Sequence, residues 1–368
     1  METEKDSYEA SGKALEWKAE NGKVVVSSSN VYFELDKATG MVTSYKVNGT
    51  EFFDKAFGVQ PNFWRAPNDN DYGNSNPKRL QIWKESSRDF KVSDTAVREE
   101  GETVLMSVTY DLPAGNQYLI TYRIYRDGVV NVNVKFTQTD REAEKTEVLE
   151  DTNLATFTPG KKVKKKDVLE VPRIGVRFRI PHVMNRVEYF GRGPVENYVD
   201  RNAGSMVGRY KTSAEEMYVN YVRPQENGHR TDTRWVSFTN TAGRGLLVLA
   251  EKTVGFNALR NTVEDFDSEE SSHPYQWRNR SPKEVAGKNE AEAKSVLRRM
   301  THVNDIVPRD FVEVCIDMKQ QGVAGYDSWG AKVQPGYTIP ANRDYVWGFT
   351  LIPVKNVGDV NKSLRYTY

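Results

Sequence analysis

The chain has 368 residues, and its 52 Lys and Arg nearly cancel 51 Asp and Glu, so a formal charge of +1 excludes a nucleic-acid or anionic-membrane partner found through net charge. A hydrophobic content of 38% and an aromatic content of 11% are enough for a sizeable core, while 28% charge and a mean hydropathy of −0.69 imply ample polar loops. The single Cys315 excludes an internal disulfide and a thiolate metal cluster, and no stretch approaches the ~18–20 apolar residues of a membrane span.

From the N-terminus, "METEKDSYEASGK" is polar and lacks an apolar signal core, so residues 1–14 read as a lead or linker in a soluble chain, cytoplasmic or periplasmic. Period-2 alternation then dominates. Residues 23–53 predict a β-meander, with turns at Asn30, at "DKATG" and at "NGT". "FKVSDTAVREEGETVLMSVTYDL", "QYLITYRIYRDGVVNVNVKFTQ", "RIGVRFRIP", "RVEYFGRG", "TRWVSFTN", "GLLVLAE", "DFVEVCIDM" and "RDYVWGFTLIPV" continue the pattern. Some 14–18 strands with short connections predict an all-β fold, a large antiparallel sandwich occupying residues 15–355, followed by a tail over 356–368.

Helix signals are few. "TSAEEMYVNY" carries a cap and predicts a short turn, and "PKEVAGKNEAEAKSVLRR" (282–299) reads either as a charged helix or as part of a solvated insertion over about 264–300. The basic run "GKKVKKKD" has no interleaved aromatics and reads as a solvated hairpin. Cys315, inside an alternating run, reads as a small core residue.

The spacings of metalloproteases, serine hydrolases, phosphate loops and dinucleotide folds are all missing, and the four histidines are scattered. Asp69-x-Asp71-x-Gly73 has part of a calcium-loop spacing without its remaining ligands, so a hydrogen-bonded turn is expected there and no metal. What remains are four turn-rich polar motifs with aromatics: "FWRAPNDNDYGN" (63–74), "FGRGPVENYVDRNAG" (190–204), "YVRPQENGHRTDTRW" (221–235) and "GYDSWG" (325–330). Carboxylates, amides, guanidinium groups and exposed rings are the chemistry of sugar recognition. Glycosidic hydrolysis further needs two facing carboxyl groups, ~5–5.5 Å apart for retention and ~6.5–9.5 Å for inversion. Glu196, Asp200 and Glu226 are of the right type, although each sits beside Arg or Asn, where an ion pair fixing a loop is the plainer reading.

In their order these four motifs resemble the C-terminal small-chain domain (domain 5) of the family 2 glycoside hydrolase β-galactosidases, over about Leu15 to Pro353. The resemblance implies a galactose-mutarotase-like β-supersandwich and a β-galactoside substrate. It also implies that the catalytic glutamates, with magnesium and sodium sites beside them, lie on a barrel domain whose alternating pattern is absent from this sequence. No catalytic residue and no cofactor are then expected in this chain, whose partners are the remaining domains of a parent polypeptide; the resemblance also admits a homo-oligomer.

On the motif positions, the resemblance makes Trp329 the sugar-stacking residue that closes one side of the galactose pocket, with Asp327 and Ser328 beside it. Asp71 and Gly73 are further substrate-binding candidates, facing the pocket from a neighbouring loop that shifts between open and closed, with Gly73 as its permissive hinge. Glu196, Asn197, Asp200 and Arg201 are expected to form one loop-locking network, and Glu226, Asn227 and Arg230 another. Two other functions are weighed: a stand-alone aldose mutarotase-like epimerase using His229 and Glu226 as acid and base, and a non-catalytic carbohydrate-binding module.

Overall fold

Alternation along the chain sets the layers. In the computed structural model, which describes residues 5–88, 90–112, 115–138, 170–267, 302–327, 330–356 and 358–368, the side chains that point inward on successive strands form one continuous core. The basic run, the 282–299 segment and most of the charged insertion lie outside the described residues.

A two-residue strand, β1 (Asp6–Ser7), precedes the meander β2 (Glu16–Glu20), β3 (Lys23–Ser27), β4 (Val31–Asp36), β5 (Val42–Val47) and β6 (Thr50–Glu51), which pair antiparallel in sequence order. β7 (Gln60–Asn62) leads into three short helices, α1 (Asp69–Gly73), α2 (Asn76–Arg79) and α3 (Gln81–Ser86). There follow β8 (Lys91–Glu100), β9 (Thr103–Asp111), β10 (Gln117–Ile124) and β11 (Val130–Thr137). The second half supplies β12 (Arg173–Pro181), β13 (Arg186–Gly193), β14 (Met206–Ser213), β15 (Arg230–Thr239) and β16 (Gly245–Leu259). β17 (Phe311–Gln320), β18 (Tyr345–Val354) and β19 (Tyr366–Thr367) close the chain, with β19 lying parallel to β1.

The large sheet runs β14-β13-β15-β16-β18-β11-β10-β9-β8, and a branch β7-β12-β17 joins it at β16. The fork arises because β16 is 15 residues long: Gly245–Ala250 pairs with β18 and Gly255–Leu259 pairs with β17. Between those halves Glu251, Lys252 and Thr253 are exposed. The meander and the branch fold over the large sheet as the opposing layer. Phe33 meets Tyr122 at 5.5 Å between ring centroids, and Tyr118 donates its hydroxyl to the Gly175 carbonyl at 2.9 Å. This is the antiparallel all-β sandwich that the alternation predicts.

β12 and β17 depart from the half-buried pattern. One face carries Ile174, Val176, Phe178 and Ile180 against Val312, Val314 and Ile316, all fully buried. The other carries Arg173, Arg177, Glu313 and Asp317, which are buried as well. Opposite charges make this bearable: Arg177 lies 2.9 Å from Glu264, and Arg179 3.0 Å from Glu313. Gly175 stands across from Asp317 in register, and a Cβ there would fall 2.1 Å from Asp317 Oδ1, so the glycine makes room for that carboxyl.

Candidate functional site

The site is built around the connection from β17 to β18, residues 321–344, which motifs 63–74 and 190–204 touch directly and motif 221–235 supports through them. Motif 63–74 contributes α1. Asn68 caps it, accepting from the Asp71 N–H at 2.9 Å while the Asp71 carboxylate accepts from the Asn68 N–H at 3.1 Å, a reciprocal capping box. Asp71 also accepts from Asn76 Nδ2 at 2.7 Å and from Arg65 Nη2 at 2.9 Å to each oxygen. Both partners of the Arg65–Asp71 pair are only 2% exposed. The turn expected over 69–73 is therefore a helix, and Asp71, expected to face the sugar, is enclosed with every oxygen engaged in holding that helix.

The caps of α1 also hold the 323–331 loop. Asn68 Nδ2 donates to the Val323 carbonyl at 3.0 Å, and Asn74 Nδ2 donates to the Ala331 carbonyl at 3.2 Å. Gly330 has φ +92° and lies so close to α1 that a Cβ would fall 2.4 Å from the Gly73 carbonyl carbon. Gly73 is the last helical residue of α1, so its observed part is that of a docking surface for Gly330. Within the loop Asp327 is exposed and its Oδ1 accepts from the Ala331 N–H at 3.1 Å, while Tyr326 is 63% exposed and its hydroxyl donates to the Lys332 carbonyl at 2.8 Å. Ser328 and Trp329 lie outside the described residues.

Motif 190–204 reaches the same loop through Asp200, whose carboxylate accepts from the Val323 N–H at 3.0 Å and the Ala324 N–H at 2.8 Å. Asp200 is thus separate from the network around Glu196. There Arg201 Nη2 lies 2.9 Å from Glu196 Oε1, the Gly228 N–H donates to Oε2 at 2.8 Å, and Tyr221 donates its hydroxyl to Oε1. Asn197 works alongside, donating to the Arg192 and Val195 carbonyls and accepting from the Thr231 N–H at 3.0 Å.

Motif 221–235 ties the others together. The Glu226 N–H donates to the Ala66 carbonyl at 3.2 Å. The Glu226 carboxylate pairs with Arg173 at 2.5 Å and accepts from Asn257 Nδ2 at 3.2 Å. Arg230, expected beside Glu226, turns instead to Tyr189 Oη and the Gly228 and His229 carbonyls, and Asn227 holds the Val219 N–H and the Gln225 carbonyl. Arg173 fills the place because β12 delivers it, fully buried, between Glu226 and Asp317, the latter 3.2 Å away.

His229 is buried against Tyr198, with ring centroids 5.5 Å apart, and its Nδ1 lies 3.7 Å from Asp317 Oδ2. Burial, reinforced by Arg173, Arg230 and Arg65, holds its imidazole well below the usual range. Burial likewise lifts the Asp317 carboxyl to about 7, with Arg173 opposing the rise and Glu226 adding to it. His229 and Glu226 are 1% and 3% exposed, so no sugar ring fits between them as an acid–base pair for anomer interconversion. Glu196, Asp200 and Glu226 are likewise engaged by donors, a scaffold and not a facing pair.

Residues 27–351 match the family described as beta galactosidase small chain. The chain belongs to the β-galactosidase small-chain family. A β-galactosidase of Priestia megaterium is 32% identical over 350 residues, covering 95% of this chain and 28% of that protein. The β-galactosidase of Streptococcus thermophilus is 27% identical over 331 residues, covering 89% of this chain and 27% of the relative. This small-chain sequence therefore spans little more than a quarter of the length of these relatives. Among solved structures, a galactose 1-epimerase from Lactobacillus acidophilus NCFM is 8% identical with a TM-score of 0.45, over 94% of this chain and 97% of that one.

No helix among the described residues is long and apolar enough to cross a membrane. Arg65, Asn68, Asn74, Arg173 and Asp317 escaped the sequence reading although they hold the small-chain motifs together. Arg65, Asn68 and Asn74 lie inside a quoted motif, so the signal was present for them; Arg173 opens a strand whose alternation reads as solvent-facing on its side, and Asp317 lies two residues from Cys315 on a face of mixed character.

Proposed function

We propose that this chain is the accessory domain of a β-galactosidase, forming one wall of the pocket that takes a terminal β-D-galactoside, with the catalytic glutamates and their metal sites on other domains of the parent polypeptide. The observation that carries this reading is that motifs 63–74 and 190–204 both hold the loop 323–331, which contains the fourth motif and into which Trp329 falls by sequence, while motif 221–235 is bonded to the first two. A wall that contributes stacking but no acid or base must be held in place, and the Asp71, Glu196, Asp200 and Glu226 carboxylates do that holding.

Trp329 is the proposed stacking surface, with Asp327 and Ser328 at its rim. Hydrolysis of a chromogenic β-galactoside tests the proposal. The isolated chain is expected to be inactive and the complete polypeptide active, with Trp329→Ala raising KM about tenfold, on the order of 1.4 kcal/mol, and leaving kcat little changed. Robust turnover by the isolated chain would overturn it.

A further inference from the structure

Asp200 stands out because, among the described residues, its carboxylate serves neither a cation nor a helix cap. It spans from motif 190–204 to two successive backbone N–H groups, Val323 at 3.0 Å and Ala324 at 2.8 Å. Consecutive N–H groups aimed at one anion form a nest, a concavity that prefers a carboxylate. The backbone here is one that would not persist unaided. Ala324 has φ +56°, a left-handed conformation that costs a non-glycine residue roughly 1 kcal/mol or more, and Gly325 follows at φ +105°. Gly322 completes the fit, since a Cβ at that position would fall 2.3 Å from Asp200 Oδ2.

We propose that Asp200 is a positioning residue for the 323–331 loop: its carboxylate holds Ala324 in the left-handed conformation and so sets the place of the loop's sugar-facing residues. This rests on the reading of that loop as a wall of the galactoside pocket. Asp200 touches no substrate in this account; it acts through the Val323 and Ala324 amides. The cap asparagines of α1 fix the loop at Val323 and Ala331, but neither reaches the strained residue, so without Asp200 the turn at 324–325 relaxes between two fixed ends.

The test measures amide hydrogen exchange at Val323 and Ala324 in this chain, and KM and kcat for a chromogenic β-galactoside in the complete polypeptide, for Asp200→Ala and Asp200→Asn. In Asp200→Ala both amides are expected to exchange at least tenfold faster while β17 amides and the thermal midpoint stay near wild type. KM should rise severalfold more than kcat falls, and Asp200→Asn, which keeps one acceptor oxygen, should recover part of both effects. Protection at Val323 and Ala324 equal to wild type in Asp200→Ala would overturn the proposal. Faster exchange with unchanged KM would leave the clamp standing and overturn the pocket-wall reading on which its functional meaning rests.

Discussion

Arg173 Nη2 lies 2.5 Å from Glu226 Oε1, the two side chains being 0% and 3% exposed, in the middle of a fold whose sequence suggests neither as the other's partner. A charge so enclosed cannot recover water when its partner is removed.

Glu226→Ala should therefore cost about 3–5 kcal/mol of stability, because it strands Arg173 with Asp317 as its remaining carboxylate and also removes the nearer of the two acceptors of Asn257 Nδ2. Thermal or urea unfolding measures it, and an unchanged midpoint would show that the pair holds nothing.

Asp71→Ala should cost a comparable ~3–5 kcal/mol, since it leaves Arg65 buried and unpaired and deprives Asn68 and Asn76 of their acceptor. The double replacement Arg65→Met with Asp71→Leu should recover part of that loss, because no unpaired charge then remains inside. A double-mutant cycle read by denaturant unfolding checks the sign of the coupling.

Asp317 and His229 should give opposing pH dependences. With the Asp317 carboxyl lifted by burial from its usual 3.8 to about 7, the native state holds a proton between those values that the unfolded chain has released. Its contribution to stability is thus present at low pH and lost as pH rises through 7, with a slope of at most about 1.4 kcal/mol per pH unit. His229, kept neutral by burial, contributes stability above its usual 6.5 that is lost as pH falls below it. In His229→Gln the Asp317 slope stands alone, so the melting temperature should rise as pH is lowered from 7 to 5. In Asp317→Asn the His229 slope remains, and the melting temperature should fall over the same interval.

Gly330→Ala should disturb the loop far more than the fold. At φ +92° and with its Cβ placed 2.4 Å from the Gly73 backbone, alanine would force the loop off α1 at a cost of roughly 1–3 kcal/mol. The expected readout is faster limited proteolysis within 321–344 and a higher KM for a β-galactoside in the complete polypeptide, with strand amides still protected.

The sheet was legible because period 2 survives in single sequences. The meander over residues 23–51 and the strands Arg173–Pro181 and Arg186–Gly193 fall where the alternation puts them. β14 was missed because "MVGRYKTS" follows a turn-rich stretch and lies at the sheet edge, where none of its side chains is fully buried and no apolar alternation is required. α1 was missed because its capping box is Asn68 with Asp71 on a five-residue helix, which spells turn. Arg173 was missed for a deeper reason: a strand face neutralised by buried opposite charges has the same sequence pattern as a face turned to water. The motifs marked where the site gathers, but not that Asp200 would reach across to Val323 and Ala324, a contact separated by over a hundred residues.

The forked strand β16 has one more consequence. β17 and β18, the two strands that launch and receive the 321–344 connection, both hang from it, one on each side of Glu251–Thr253. The loop is slung like a cable between two arms of one yoke. The distance the connection must bridge follows from how far the arms splay, so backbone geometry at a surface stretch remote in sequence from every motif that touches the loop bears on where Val323 and Ala331 can sit.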